Sequence, residues 1–427
     1  MSAHPTQERS TPTSTIFHRQ TPFTEHRAQV EVLCNSLWPA SRLVIERLHR
    51  GAYSGMVGIK VRSEESSGNP GDEEQLILRA PKHAWEVDLR TEVATLLYVR
   101  QHAADIPIPH IKAFDLTDNN PLNSLYSVQT RLPGMSLREV YPKLSHNQNI
   151  ILVKEVCKII LGLQTVTQPF PGLIQLKSSD GAGSGFSVRP IDLKSTFATG
   201  LTERPQEILK WEPKADDAYD FFTVQFGRWL AQELLRDPRR IAYRDYQTRF
   251  MEAARQMNGM GFFEGQGNCL CHLGLYARNI LVLPGDEHDT VQVTGVLGWD
   301  SAVVAPKFVS CAMPWWLWQC DPDENGSTWE ELDGALTSEE PNSPQALELM
   351  ITFAEAIGDD FMTSAFKPQF RLARQLFRFA VGGLQCKEDY IAADKFLRNW
   401  KEFFDGLTKE AEGEGIEGGS ETGSFGS

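Results

Sequence analysis

Apolar residues recur along this chain with two periods, and the switch between them divides it. Over residues 41–62 apolar and polar positions alternate and end in MVGIKVR, the pattern of two strands around a glycine-containing turn. SEESSGNPGDEEQ (63–75) reads as a hairpin loop and LILRAP (76–81) as a short apolar strand. WEVDLRTEVATLLYVR (85–100) places Leu89, Val93 and Leu96 on one helical face. The prolines of IPIPH (106–110) keep that stretch out of a helix interior. SLYSVQTRL (124–132) reads as another strand, ended by PGMSL. The first part is therefore expected to be a small sheet with one inserted helix.

From residue 136 the period becomes helical. NIILVKEVCKIILGLQ (149–164), YDFFTVQFGRWLAQELLR (219–236) and residues 243–258 carry apolar stripes at helical spacing. NILVLPGDEHDTVQVTGVLGWD (279–300) interrupts them as strand, turn and strand, and helices return at 345–357, 367–382 and 388–405. Residues 1–25, rich in Ser, Thr, Pro and Gln, read as a flexible arm. The tail AEGEGIEGGSETGSFGS (411–427) has four Glu, six Gly and no Lys or Arg. It has too little apolar surface to offset its ordering entropy and is expected to be disordered and acidic.

Charge narrows the function classes. Lys and Arg number 42 against 56 Asp and Glu, a formal net charge of −14 at pH 7. Nucleic-acid binding needs clustered cations to neutralise phosphates, so no nucleic-acid partner is expected. The longest near-apolar run, Phe308–Trp318, is 11 residues, about half of what a membrane span needs. The first twenty residues hold no apolar stretch of signal type, and the seven cysteines are scattered and odd in number. Both features fit reduced thiols and a cytoplasmic location.

A sheet followed by helices with one internal hairpin suggests the protein-kinase-like architecture. CHLGLYARNILV (271–282) leads into that hairpin and VLGWDSA (296–302) leaves it. In kinases a loop of the form H-x-D-x-x-x-x-N supplies a base for the substrate hydroxyl and an Asn for magnesium. His272 and Asn279 stand at that spacing. The chain resembles the aminoglycoside phosphotransferase/choline kinase-like family. It looks most like the fungal branch, where the two segments read H-L-D-L-Y-x-R-N-I-L-V and V-L-D-W-D-S-A. The resemblance covers roughly residues 40–405. It implies an α+β, bilobal fold with a small β-rich N-lobe (26–132) and a larger helical C-lobe (133–410) containing a β-hairpin. It also implies a nucleotide-covering loop at RGAYSGMVGI (50–59), a phosphate-binding cation at Arg79, and its carboxylate partner at Glu92. A hinge follows at QTRLPG, beginning with Gln129.

Two departures from the family pattern bear on the chemistry. Gly274 stands where the family has its catalytic Asp, and Gly298 where it has its first metal-binding Asp. Glycine can neither accept a proton nor hold a metal. A positioned base contributes ~10²–10⁴-fold, but phosphoryl transfer rests more on positioning and charge stabilisation, which the second loss attacks. The expectation is a kinase-fold protein that binds a small-molecule metabolite in its interlobe cleft, with phosphotransfer impaired or absent. It would be a repurposed enzyme or metabolite-binding protein of fungal secondary metabolism. His272, Asp300, Tyr276 and Arg278 would then be the polar groups available for catalysis. A slow ATP-dependent kinase of a small hydroxyl or amino metabolite is the alternative, with magnesium on Asn279 and Asp300; only that alternative calls for ATP and magnesium. A third reading is a regulatory pseudokinase.

Three further features have plainer explanations. Cys269, Cys271 and His272 form C-x-C-H, but a structural zinc site needs a second ligand pair, and none lies at suitable spacing. Gly51, Gly55 and Gly58 do not have G-x-G-x-x-G spacing and fit a tight hairpin turn equally well. Trp315, Trp316 and Trp318 could form an aromatic wall; core packing is the expectation.

Overall fold

The computed structural model describes residues 23–48, 55–63, 73–81, 88–177, 185–193, 214, 217–236, 241–285, 290–318, 341 and 343–417. Two compact units emerge, one from residues 1–86 and 113–128, the other from 87–112 and 129–427.

The first unit is built on a helix, α1 (Phe23–Leu37), and a sheet. Its strands are β1 (Ser41–Arg47), β2 (Gly55–Ser63), β3 (Glu73–Ala80), β4 (Ile111–Asp115) and β5 (Tyr126–Thr130), in the order β1-β2-β3-β5-β4, with the unit boundary falling inside β4 after Lys112 and inside β5 after Val128. Every second residue of β2, Val57, Ile59 and Val61, is buried with Leu76 and Leu78 of β3 and with Val30, Leu33 and Cys34 of α1. This is the period-two burial that the alternating sequence predicts. Arg79 pairs in register with Met56, and Ile77 with Gly58, so Arg79 lies on the face opposite Leu78. On that face a Cβ at Gly58 would stand 2.6 Å from Glu46 Cγ, and Glu46 turns toward Lys60 at 3.7 Å. The helix α1 starts inside the stretch read as a flexible arm, a correction for residues 23–25; residues 1–22 lie outside the described residues. So do residues 49–54, which include half of the segment resembling a nucleotide-covering loop.

The helix expected at 85–100 is α2 (Leu89–His102), with Leu89, Val93 and Leu96 buried as its spacing predicts. It groups with the second unit rather than with the sheet whose sequence it interrupts. That unit continues through β6 (Met135–Ser136), α3 (Leu137–Val140), α4 (His146–Gln164), β7 (Thr167–Gln168), β8 (Leu173–Leu176) and β9 (Phe186–Arg189). Next come α5 (Ala218–Arg236), α6 (Ile241–Gly259), β10 (Asn268–His272), β11 (Ile280–Pro284), β12 (Val291–Val296) and β13 (Ala302–Pro306). The last helices are α7 (Lys307–Ser310), α8 (Pro344–Ile357), α9 (Asp359–Phe366), α10 (Pro368–Gly382) and α11 (Lys387–Glu417). The β11–β12 hairpin is the predicted one. Besides it, the strands of this unit form β13-β10-β7, a β6 edge on β11, and the β8–β9 hairpin. Most of these are too short for periodicity to reveal. The helix α11 runs to Glu417, into the stretch expected to be disordered from 411, and residues 418–427 lie outside the described residues.

Local chemistry sets the ends of these helices. Ser145 and Gln148 form a reciprocal capping box on α4. Ser343 caps α8 ahead of Pro344. At the other end of α9, carbonyls that no helical N–H can reach are met by Arg374 of α10. Its Nη1 donates to Ser364 O at 2.8 Å and its Nη2 to Ala365 O at 2.7 Å. The guanidinium is 6% exposed and also donates to Phe308 O at 3.3 Å. Two cores result. One gathers α4, β10–β13 and the tryptophans Trp315, Trp316 and Trp318, as expected of those rings. The other is aromatic, with Phe226 against Phe250, Phe250 against Phe379 and Phe379 against Phe396. Among the described residues no helix is long and apolar enough to cross a membrane.

Arg374→Met keeps the stem but strands two buried carbonyls and one part-buried one. It should destabilise the fold by about 2–4 kcal/mol, read as a lower urea midpoint. A change under about 0.5 kcal/mol would show that the guanidinium does not carry this junction.

Candidate functional site

Two strand pairings create the site. The strand β10 pairs antiparallel with β13, His272 opposite Ala302. The hairpin strands β11 and β12 pair with Ile280 opposite Val296. The chain leaves β10 at His272, turns through 273–279 and enters β11. It leaves β12 at Val296, turns through 297–301 and enters β13. The two pairings force the turns side by side, and Leu297 N–H donates to Asn279 O at 2.7 Å across them.

His272 is the brace between the turns. The Gly274 N–H donates to its Nδ1 at 3.2 Å, and its Nε2–H donates to Leu297 O at 3.0 Å. The ring stands edge-on to Trp299, centroids 4.9 Å apart, and is 8% exposed. Burial pushes its pKa down to about 4, against weaker upward pulls from the backbone and Asp300. The imidazole is therefore neutral near pH 7 with both nitrogens bound to backbone. Both ring nitrogens are thus engaged by the backbone, an arrangement that suits a structural brace better than the expected proton-transfer role.

Asn279 sits between the two glycines. Its Nδ2 donates to Gly274 O at 2.7 Å. A Cβ built on Gly274 would lie 2.9 Å from Ser301 Oγ and 3.3 Å from Asn279 Nδ2. One built on Gly298 would lie 2.8 Å from the same Nδ2. Gly298 also has φ +85°, in the left-handed region that side chains disfavour, and it starts the short 3-10 turn Trp299–Ser301. Ser301 Oγ closes that turn by donating to Gly298 O at 2.8 Å. The absence of two carboxylates is thus accompanied by a turn that glycine suits and by an amide filling the intervening space.

The remaining expected residues are placed as follows. Asp300 is half-buried in the 3-10 turn, one residue from Trp299. The Arg278 guanidinium lies over the Tyr276 ring at 4.5 Å, which joins these two residues to each other. Glu92 and Gln129 are buried in the second unit, with Gln129 Nε2 donating to Glu92 Oε1 at 3.4 Å. Arg79 belongs to the first unit. Cys269 and Cys271 are buried free thiols, Sγ atoms 4.0 Å apart, and no metal-holding group of three His, Cys, Asp or Glu occurs among the described residues. Sequence reasoning read Trp316 only as a core ring; its Nε1 also donates to Leu275 O at 3.1 Å and props the first turn. Sequence reasoning passed over Ser301 and Trp299. No local pattern could have marked the Trp316 contact, which joins residues far apart in sequence.

Asp300 is the one carboxylate in residues 272–279 and 297–301, and the Asn279 side-chain oxygen is a neutral donor. With the amide nitrogen already held by Gly274 O, this set does not fit the magnesium site of a kinase loop, which relies on carboxylate charge.

With this geometry established, comparison with known proteins identifies the family. The model of the APH family, the phosphotransferase enzyme family, matches residues 67–328, more than half of the chain. The chain belongs to this family, and its fold is the α+β, two-part, protein-kinase-like one expected from sequence. No curated protein matches it in sequence. Among solved structures it is similar to the GDP complex of wild-type aminoglycoside 2'-phosphotransferase-IIIa. The identity is 14% and the TM-score 0.42, covering 89% of this chain and 99% of the other. It is also similar to a thermostable mutant of aminoglycoside phosphotransferase APH(4)-Ia in a ternary complex with ADP and hygromycin B. There the identity is 13% and the TM-score 0.42, over 88% and 98% of the two chains.

Two predictions arise here. Gly298→Asp should cost about 1–3 kcal/mol, because it forces a side chain into the left-handed region against the Asn279 amide. Gly274→Asp should cost less, since a rotation of the Ser301 hydroxyl relieves the contact; equal costs in chemical denaturation would contradict this. Secondly, the folded-state pKa of His272 lies below its unfolded value of 6.5. Below that pH the unfolded chain takes up a proton that the folded chain refuses until about pH 4. Stability is therefore retained above pH 6.5 and lost as pH falls, by about 2 kcal/mol between pH 7 and pH 5. Urea midpoints at the two pH values should show that increment in the wild type and lack it in His272→Gln.

Proposed function

We propose that this chain is a small-molecule-binding member of the phosphotransferase family in which ATP-dependent phosphotransfer is severely impaired or absent. The scaffold serves a reaction that needs no phosphoryl donor, or binds a metabolite, in fungal secondary metabolism. One observation carries the reading: the side chain of Asn279, tied to Gly274 O, stands against the Cβ positions of both Gly274 and Gly298. A site that had merely lost two carboxylates would have gaps there. This one supports a loop repacked without them, with a left-handed turn at residue 298 that suits glycine.

The polar groups left for chemistry are Asp300, Tyr276 and Arg278, with His272 as a structural brace. Asp300 is the candidate proton acceptor. The Tyr276–Arg278 stack offers a flat cationic surface suited to an aromatic or anionic metabolite rather than a polycation. Magnesium would supply charge neutralisation for phosphates if it bound, and Asp300 with the Asn279 oxygen would be its side-chain donors in these turns. Their weak donor set argues for poor retention.

The test is thermal stability of the purified protein with and without ATP, each with and without magnesium, alongside ADP release with generic small alcohols and amines. A ligand at about 100-fold its Kd stabilises by about 2.7 kcal/mol. The expected result is no magnesium-dependent rise and no turnover above background in the wild type. A magnesium-dependent rise, or turnover lost in Asp300→Asn, would establish the slow-kinase alternative instead. A gain of turnover in Gly274→Asp would mark a disabled kinase whose other parts are intact.

A further inference from the structure

A chain of polar contacts crosses the second unit and ends on the helix that carries Glu92. It starts in the aromatic core. Arg228 of α5 is 2% exposed, and its Nη1 donates to Ile191 O and to Gln225 Oε1, both at 2.8 Å. The next residue, Asp192, accepts from Arg189 Nη1 at 2.7 Å. Arg189 ends the β9 strand, and its other nitrogen, Nη2, reaches α2. There it donates to Asp88 Oδ2 at 2.5 Å and to Thr91 Oγ1 at 2.9 Å. Asp88 is the N-cap of α2, accepting from Thr91 N–H at 3.2 Å through Oδ1 and from the Thr91 hydroxyl at 2.6 Å through Oδ2. Glu92 follows Thr91 directly and is 1% exposed.

The same hairpin meets α2 further along. Phe186 of β9 packs edge-on against Tyr98 at 5.1 Å, and the Tyr98 hydroxyl accepts from Gln168 Nε2 at 2.5 Å. The helix is therefore gripped at its first turn by charge and at its last turns by packing, both from elements of its own unit. This accounts for its grouping with that unit despite lying between two strands of the other.

We propose that Arg189 is a positioning residue that fixes the first turn of α2, and with it Glu92, to the β8–β9 hairpin and through Ile191 and Asp192 to α5. The Arg189 side chain is 21% exposed and that of Asp88 33%, so the pair is partly screened. Its strength lies in geometry: one guanidinium edge holds a carboxylate and the hydroxyl bonded to it, while the other nitrogen is held by Asp192. Asp88 serves as helix cap and ion partner at once. Glu92 is thereby presented from a fixed helix, without the swinging motion available to a helix held only by its own cap. The inference concerns α2 and its anchors alone and stands whether or not the chain transfers phosphate.

Hydrogen exchange of the purified full chain, followed by peptide, tests it without nucleotide. Arg189→Met removes the grip and leaves the cap. Asp88→Asn keeps a capping oxygen and weakens the grip. Each should speed exchange of amides in 88–99 by about tenfold or more, and the double variant should add little to either single change. Arg189→Lys should restore part of the protection. Exchange in α10 and α11 should stay at wild-type rates, which separates positioning from general loss of stability. If Arg189→Met exchanges like wild type over 88–99, or if protection falls evenly through the unit, the proposal fails. If Arg189→Met does not fold, the Asp88→Asn and Arg189→Lys results decide: wild-type exchange over 88–99 in both overturns the proposal.

Discussion

The site depends on a neutral imidazole. His272 accepts from one turn and donates to the other, and it can do both only while uncharged. Burial against Trp299 enforces that state. A protonated ring would lose the acceptor that Gly274 N–H needs and would place a desolvated charge in the core. The spacing of His272 and Asn279, which in a kinase loop reads as catalytic, is here a framework: the histidine joins the turns and the asparagine closes the first upon itself. The structural work of both residues is done through backbone contacts and needs no carboxylate.

This bears on how the two glycines are related. They are distant in sequence, yet a Cβ on either would press on the same amide nitrogen. Replacing either one alters the packing of Asn279, so the positions are coupled through it. Gly298 carries the additional constraint of its left-handed φ. A carboxylate at 298 would either strain that left-handed φ or shift the turn that holds Ser301 and the start of β13. Glycine at 298 is thus tied to the backbone geometry of the turn as well as to the packing of Asn279.

Much of the architecture was legible because burial imposes periods. The alternation in β2 and β3 and the helical stripes of α2, α4, α5, α6, α8 and α10 each appear where the pattern predicts. What escaped had no period to show. The strands β6 and β7 are two residues long, and β10, buried at every position, is a continuous run that does not alternate. The helix α1 escaped because polar residues of the N-terminal arm run into it, leaving a short apolar stripe at Val30, Leu33 and Cys34. At the site, spacing named His272 and Asn279, and the family resemblance named Gly274 and Gly298. Their roles could not be read, because a histidine's role depends on what its nitrogens meet.

The membership of α2 follows from the same distinction between sequence neighbourhood and physical contact. Adjacency along the chain suggests that a helix between β3 and β4 belongs to their sheet. Its side chains say otherwise: Asp88 and Thr91 meet Arg189, Tyr98 meets Phe186 and Gln168, and Glu92 meets Gln129, all in the second unit. Polar contacts of this kind add little net stability individually, but they are directional, and several along one helix leave it few alternative positions. A helix so held contributes its carboxylate as a fixed element.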